Sequence, residues 1–162
     1  HLDGGGFMRV IFHISVFLSG FITIGAIWTV HQMTANFNPD GSNPMWSNGN
    51  PGLFFILWPM PFVFYFLFSM IFVFEVIHNK YKVNRRRFIT GYTFLFIALV
   101  SFTIYRIIDF NRMAQPYFEY EIGYLNPYTN NLFFNVWTFV AVLCIPAIVT
   151  FYLEGKKKVK SS

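Results

Sequence analysis

Four apolar runs, at about residues 10–30, 53–78, 88–110 and 132–153, constrain this chain more than any other feature of its 162 residues. About 20 apolar residues at 1.5 Å rise each cross the hydrocarbon core of a bilayer. Each run reaches that length, and what lies between them is too short for a soluble domain. Composition agrees. Only 12% of the residues are charged, whereas a soluble domain carries roughly 25%. The pattern predicts an all-α integral membrane protein, a four-transmembrane-helix bundle forming one domain over residues 8–162. The opening "HLDGGGF" reads as an added leader ending before a native start at Met8, so His1 is set aside. The first run is longer than an ordinary signal-peptide core, which favours a true span.

Charge placement predicts the orientation. Arg9, five basic residues in "NKYKVNRRR" (79–87) and four lysines in the tail account for ten of the twelve Lys and Arg. All ten fall on one side of the predicted spans, which the positive-inside rule makes cytoplasmic, with both termini inside. A multi-pass protein of the cell membrane, the inner membrane in a bacterium, is expected. The basic segments would lie against anionic headgroups, each charge contributing about 1 kcal/mol. The formal charge of +5 is thereby explained without nucleic acid as a partner.

Several local features carry structural expectations. Ser15, Ser19, Thr23 and Ala26 form a small-residue stripe at helical spacing, suited to close packing of another span, and Gly20 and Gly25 extend it. Pro59 and Pro61 cannot both sit inside a straight helix, so the second span either starts near Trp58 or kinks there. Pro146 predicts a second kink in the fourth span. The 23 phenylalanines suit lipid-facing positions and call for no cofactor. The lone Cys144 excludes an intramolecular disulfide and any cysteine-rich metal site.

Between the first two spans, "NFNPDG" places Asn36, Asn38, Asp40 and Gly41 at calcium-loop offsets, but the twelfth position is Ser47 rather than a bidentate Glu. Asx-turns account for the segment. The 111–131 segment holds Glu119 and Glu121 among five aromatic residues, a composition suited to an interface or a partner surface.

Two constellations are able to carry chemistry. Near the cytoplasmic margin, Glu75 and His78 share a helix face one turn apart, and His13 lies at comparable depth on the first span. This is a possible proton or polar site. A di-metal carboxylate site would need a second Glu-x-x-His, which the sequence lacks, and a bis-histidine haem on His13 and His78 has no other support. The ordinary account is that Glu75 pairs with neighbouring lysine or arginine as the helix leaves the membrane. At the outer face, Arg106 and Asp109 sit three apart, with Arg112 a turn further and His31 ending the first span at the same level. An i,i+3 ion pair is the ordinary account. The catalytic alternative has His31 as general base beside Asp109 or a loop glutamate, and Arg106 holding a lipid phosphate or carboxylate. Asn135 and Thr138 would add hydrogen bonds there or merely hold helices together.

Three roles follow in order. The first is a non-catalytic accessory or interaction subunit packing with a membrane-protein partner or a second copy. The next is a membrane-embedded enzyme acting on lipid or lipoprotein through His31, Arg106 and Asp109. Last comes a component of an oligomeric channel or transporter. No metal or cofactor is expected.

Overall fold

The computed structural model describes residues 4–39, 50–81, 84–118 and 123–160, with side chains described between Gly6 and Leu153. All regular structure among them is helical. The elements are α1 (Gly4–Met33), α2 (Pro51–Leu57), α3 (Met60–Tyr81), α4 (Arg85–Ala114), α5 (Asn130–Phe133) and α6 (Val136–Lys160), with a 3-10 turn at Gln115–Tyr117. Four helical stretches, 6–33, 51–81, 85–117 and 130–153, are long and apolar enough to cross a membrane. Helix α1 already begins inside the "HLDGGGF" segment read as a leader.

Close backbone packing runs α1 against α3, α3 against α6, and α6 against α4. The principal packing is thus a row in which α6 lies between α3 and α4. Neighbours in sequence are not simply neighbours in space. Phe12 meets Phe72 while Gly20 lies under Phe66, so α1 and α3 are antiparallel. Phe66 meets Phe139 and His78 meets Phe151, so α3 and α6 run parallel. Phe88 meets that same Phe151, which makes α4 and α6 antiparallel. One end of the row therefore collects the start of α1, the end of α3, the start of α4 and the end of α6. It is called the basic end below, and the opposite one the loop end.

The stripe on α1 is used inside the chain. Ser19 and Thr23 are buried with Ala26, and their hydroxyls donate to Val16 O and Ser19 O one turn back. That spends their polarity on α1's own backbone and leaves a smooth face for α3. Ser15 donates to Phe12 O, so the 2.5 Å contact with Tyr65 on α3 has the phenol donating to Ser15. Gly20 lets the Phe66 ring lie close, since a Cβ there would come within 2.8 Å of it. A Cβ at Gly25 would meet nothing within 4 Å, so close packing does not call for glycine there. At the loop half the interface thickens into a cluster of Ala26, Ile27, Val30, Ile56, Val63 and Phe134.

The double-proline segment resolves into two helices. Trp58 N still donates to Phe54 O at 2.8 Å, and Phe62 N and Val63 N both take up Pro59 O. Pro59 and Pro61 have no amide to contribute, so the ladder is interrupted and α3 restarts at Met60. The short α2 before the break packs on α1, where Ile56 joins the apolar cluster.

Helix α6 continues through Pro146. The Thr150 hydroxyl lies 2.8 Å from Pro146 O and 3.2 Å from Ile71 O, linking α6 to α3. Ala141, Cys144 and Ala147, at three-residue spacing, are all buried. Cys144 acts there as a small residue whose thiol donates to Val140 O. Asn84 caps α4 by accepting from Arg87 N at 3.2 Å.

Candidate functional site

Most of the polar residues at the loop end satisfy one another, Asn111 Oδ1 being buried without a hydrogen-bond partner among the described residues. Asn126 accepts from Tyr128 N at 2.9 Å, the Asx-turn that an Asn-Pro step favours, and its amide donates to Gly123 O. Thr129, fully buried, donates to Tyr124 O at 2.7 Å and accepts from Asn126 N. Asn130, also fully buried, makes a reciprocal amide pair with Asn50 across 80 residues of sequence. Asn50 Nδ2 donates to Asn130 Oδ1 at 2.9 Å, and Asn130 Nδ2 donates back to Asn50 Oδ1 at 2.6 Å. Gly52 makes room for this pair, because a Cβ there would collide with the Asn130 amide. Asn135 and Thr138 cap α6. Asn135 Oδ1 accepts from Trp137 N and Thr138 N, while Thr138 Oγ1 accepts from Asn135 N. Both therefore act locally, at their own helix start.

The segment after α1 folds over this platform. Ala35 N donates to Pro127 O at 3.0 Å. Phe37 then enters a cluster with Phe110, Tyr117, Phe118 and Tyr128, its ring centroid 5.6 to 6.0 Å from each of theirs. Three chain segments thus converge on the last turns of α4.

Between them lies a polar cavity of about 300 Å³, lined by residues that include Thr34, Phe37, Arg106, Asp109, Tyr128 and Asn131. Arg106 and Asp109 reach it from α4, and both are solvent-exposed. The ion pair expected between them does not form. The Arg106 guanidinium lies 5.8 Å from the Phe102 ring centroid, one turn toward the middle of the helix. Among the described residues Asp109 has neither a salt bridge nor a hydrogen-bond donor. His31 is exposed in the last turn of α1 and does not line the cavity, and Arg112 is exposed beyond it. Glu119 and Glu121 lie outside the described residues, as do Asp40, Gly41 and Ser47 of the calcium-like segment. Of the three residues proposed from sequence for catalysis, the fold brings Arg106 and Asp109 together and leaves His31 aside.

At the basic end, His13 and His78 are engaged separately. His13 is exposed, and its Nδ1–H donates to Arg9 O at 2.6 Å, within its own helix. His78 is 8% exposed, with its ring edge-on to Phe151 of α6 at 5.2 Å and no hydrogen-bond partner for Nδ1. Phe88 meets the same Phe151, and Arg85 Nη2 donates to Tyr152 O at 3.1 Å. Glu75 is half-buried and is engaged in an interaction of its own. Among the described residues no three His, Cys, Asp or Glu gather into a group able to hold a metal ion.

The Asn50–Asn130 pair and the Phe37 cluster are not visible in sequence. Asn-rich loops announce turns, but nothing local says which asparagine meets which across 80 residues. Comparison with protein-family models, with curated proteins and with solved structures finds no match to this chain.

Proposed function

We propose that this chain is a multi-pass protein of the cell membrane, with both termini cytoplasmic, acting as a non-catalytic accessory or interaction subunit. The observation that supports this reading best is α4. None of its most apolar stretch is buried inside the chain, against 28% for the first span and 22% for the last. One flank of α4 packs on α6, and its remaining surface is left open to lipid or another protein. The small-residue stripe of α1 does not supply the contact, because α3 covers it. The partner-facing surface is instead the open side of α4, together with the aromatic loop end.

Extraction in a mild detergent tests this reading. A stoichiometric membrane-protein partner or a second copy should come with the chain, and crosslinks should map to exposed α4 positions such as Phe94 and Ile97. A chain that runs as a lone monomer, with no such crosslinks in intact membranes, would sink the reading. Orientation is checked separately by labelling single cysteines. Positions in 79–87 should be protected from an impermeant reagent in whole cells, and positions in 123–128 should react.

A second reading, an enzyme acting on lipid at the outer face, draws on the cavity. It holds a cation and a carboxylate that are not consumed by each other. In that case Asp109 rather than His31 would be the base, and Asp109→Asn should abolish turnover while His31→Ala leaves it intact.

A further inference from the structure

We propose that the loop-end cavity binds the head group of a zwitterionic phospholipid, with phosphate on Arg106 and ammonium on Asp109. The two side chains carry opposite charges, stand one turn apart on α4 and both line the cavity without pairing to each other. Arg106 presents a planar fork of donors suited to phosphate oxygens, and Asp109 is an acceptor suited to an ammonium.

Their order along the helix matches the ligand. Moving outward from the membrane-spanning part of α4, one meets the Phe102 ring, then Arg106, then Asp109. In a phospholipid one meets hydrocarbon, then phosphate, then the amine. Three residues advance the helix backbone by about 4.5 Å, so the two charges follow one another in the order that phosphate and ammonium take in the head group. Side chains of helical residues lean toward the N-terminus, and Arg106 does so, which keeps the guanidinium on the membrane side of the carboxylate. The rings of Phe37 and Tyr128 wall the cavity, and their faces also favour a cation. A volume of about 300 Å³ accommodates a small head group but not acyl chains, which would leave along the exposed flank of α4. The inference needs the chain to span a membrane but is independent of which side the loop end faces, and of the accessory reading.

The test is native mass spectrometry of the full chain in detergent. It is titrated with phosphatidylethanolamine or phosphatidylglycerol of identical acyl chains, and in a third arm with soluble glycerophosphoethanolamine. Both lipids carry the phosphate, and only the first carries an ammonium. A charge-assisted contact is expected to give the ethanolamine lipid about tenfold tighter binding. Asp109→Asn should bring the two lipids to within about twofold of each other by weakening only the ethanolamine lipid, and Arg106→Gln should weaken both by about tenfold. Equal binding of the two lipids by the unaltered chain would overturn the proposal, as would a preference untouched by Asp109→Asn. Saturation by the soluble compound without binding of the lipid would overturn the membrane source. Both side chains are exposed, so the lipid-free unfolding midpoint should not move. If Arg106→Gln does shift it, Arg106→Lys, which keeps the charge, must retain the lipid preference.

Discussion

The two ends of the row are held together by different physics. At the loop end, buried asparagine and threonine side chains close a hydrogen-bonded platform that ties α2 to α5, and an aromatic cluster seals the segment after α1 onto α4. The basic end is held chiefly by packed rings, among them His78, Phe151 and Phe88, with a bond from Arg85 to a backbone carbonyl. A buried amide is costly to leave unpaired, so the loop end is specific and intolerant of change. The basic end carries most of its charges at the surface, and the buried nitrogens of His78 (Nδ1) and Arg85 (Nε) have no hydrogen bond to lose among the described residues.

That contrast can be broken by substitution, and the largest effect belongs to Gly52. Gly52→Ala forces a methyl into the Asn50–Asn130 pair and should cost about 3 kcal/mol, combining overpacking with loss of a buried bond. Thermal unfolding in detergent reads it, and a variant as stable as the parent would show that the loop end is not rigid. Phe37→Ala removes a ring with four aromatic neighbours and should cost about 2 kcal/mol, less than for a fully buried ring because Phe37 is partly exposed. Its signature is faster hydrogen exchange at Ala35 and Tyr128, with α1 itself unchanged.

Asn135→Ala removes the cap of α6 and should cost about 1 kcal/mol, with exchange rising at the amides of Trp137 and Thr138. The basic end is expected to respond least, and in one case with the opposite sign. Arg85→Gln should change stability by about 0.5 kcal/mol or less. His78→Phe, which replaces a ring whose buried nitrogen has no partner, should stabilise by about 1 kcal/mol. A marked loss of stability on His78→Phe would mean that the imidazole has a polar role, reopening the proton-site reading of Glu75 and His78.

Much of the fold was legible in the sequence because it depends on run length. Four stretches of the right length fix four long helices, and small residues at helical spacing correctly mark the face of α1 that packs on a neighbour. The break at Pro59 was legible too, since proline lacks the amide that a helix requires. What was not legible is order in space. No pattern in α3 or α6 says that they pack side by side and parallel, because apolar faces in such helices look alike to one another. The site was half legible. Arg106 and Asp109 stand out as charges in an apolar context, and the fold does bring them to one cavity. His31 stands out equally and is absent from it, because its angular position on α1 follows from how α1 packs on α3, which no residue near His31 encodes.

The row order also bears on how the chain is made. Of the four long helices the ribosome delivers α6 after the others, yet α6 is the helix on which α4 has its main contact, and it joins α4 to the α1–α3 pair. Until it emerges, α1 and α3 can settle against each other while α4 waits without its principal neighbour. Completion of the four-helix row thus waits for α6. A ribosome stalled before residue 136 would leave an antiparallel pair and an orphan span, the kind of intermediate that membrane quality control is built to hold or destroy.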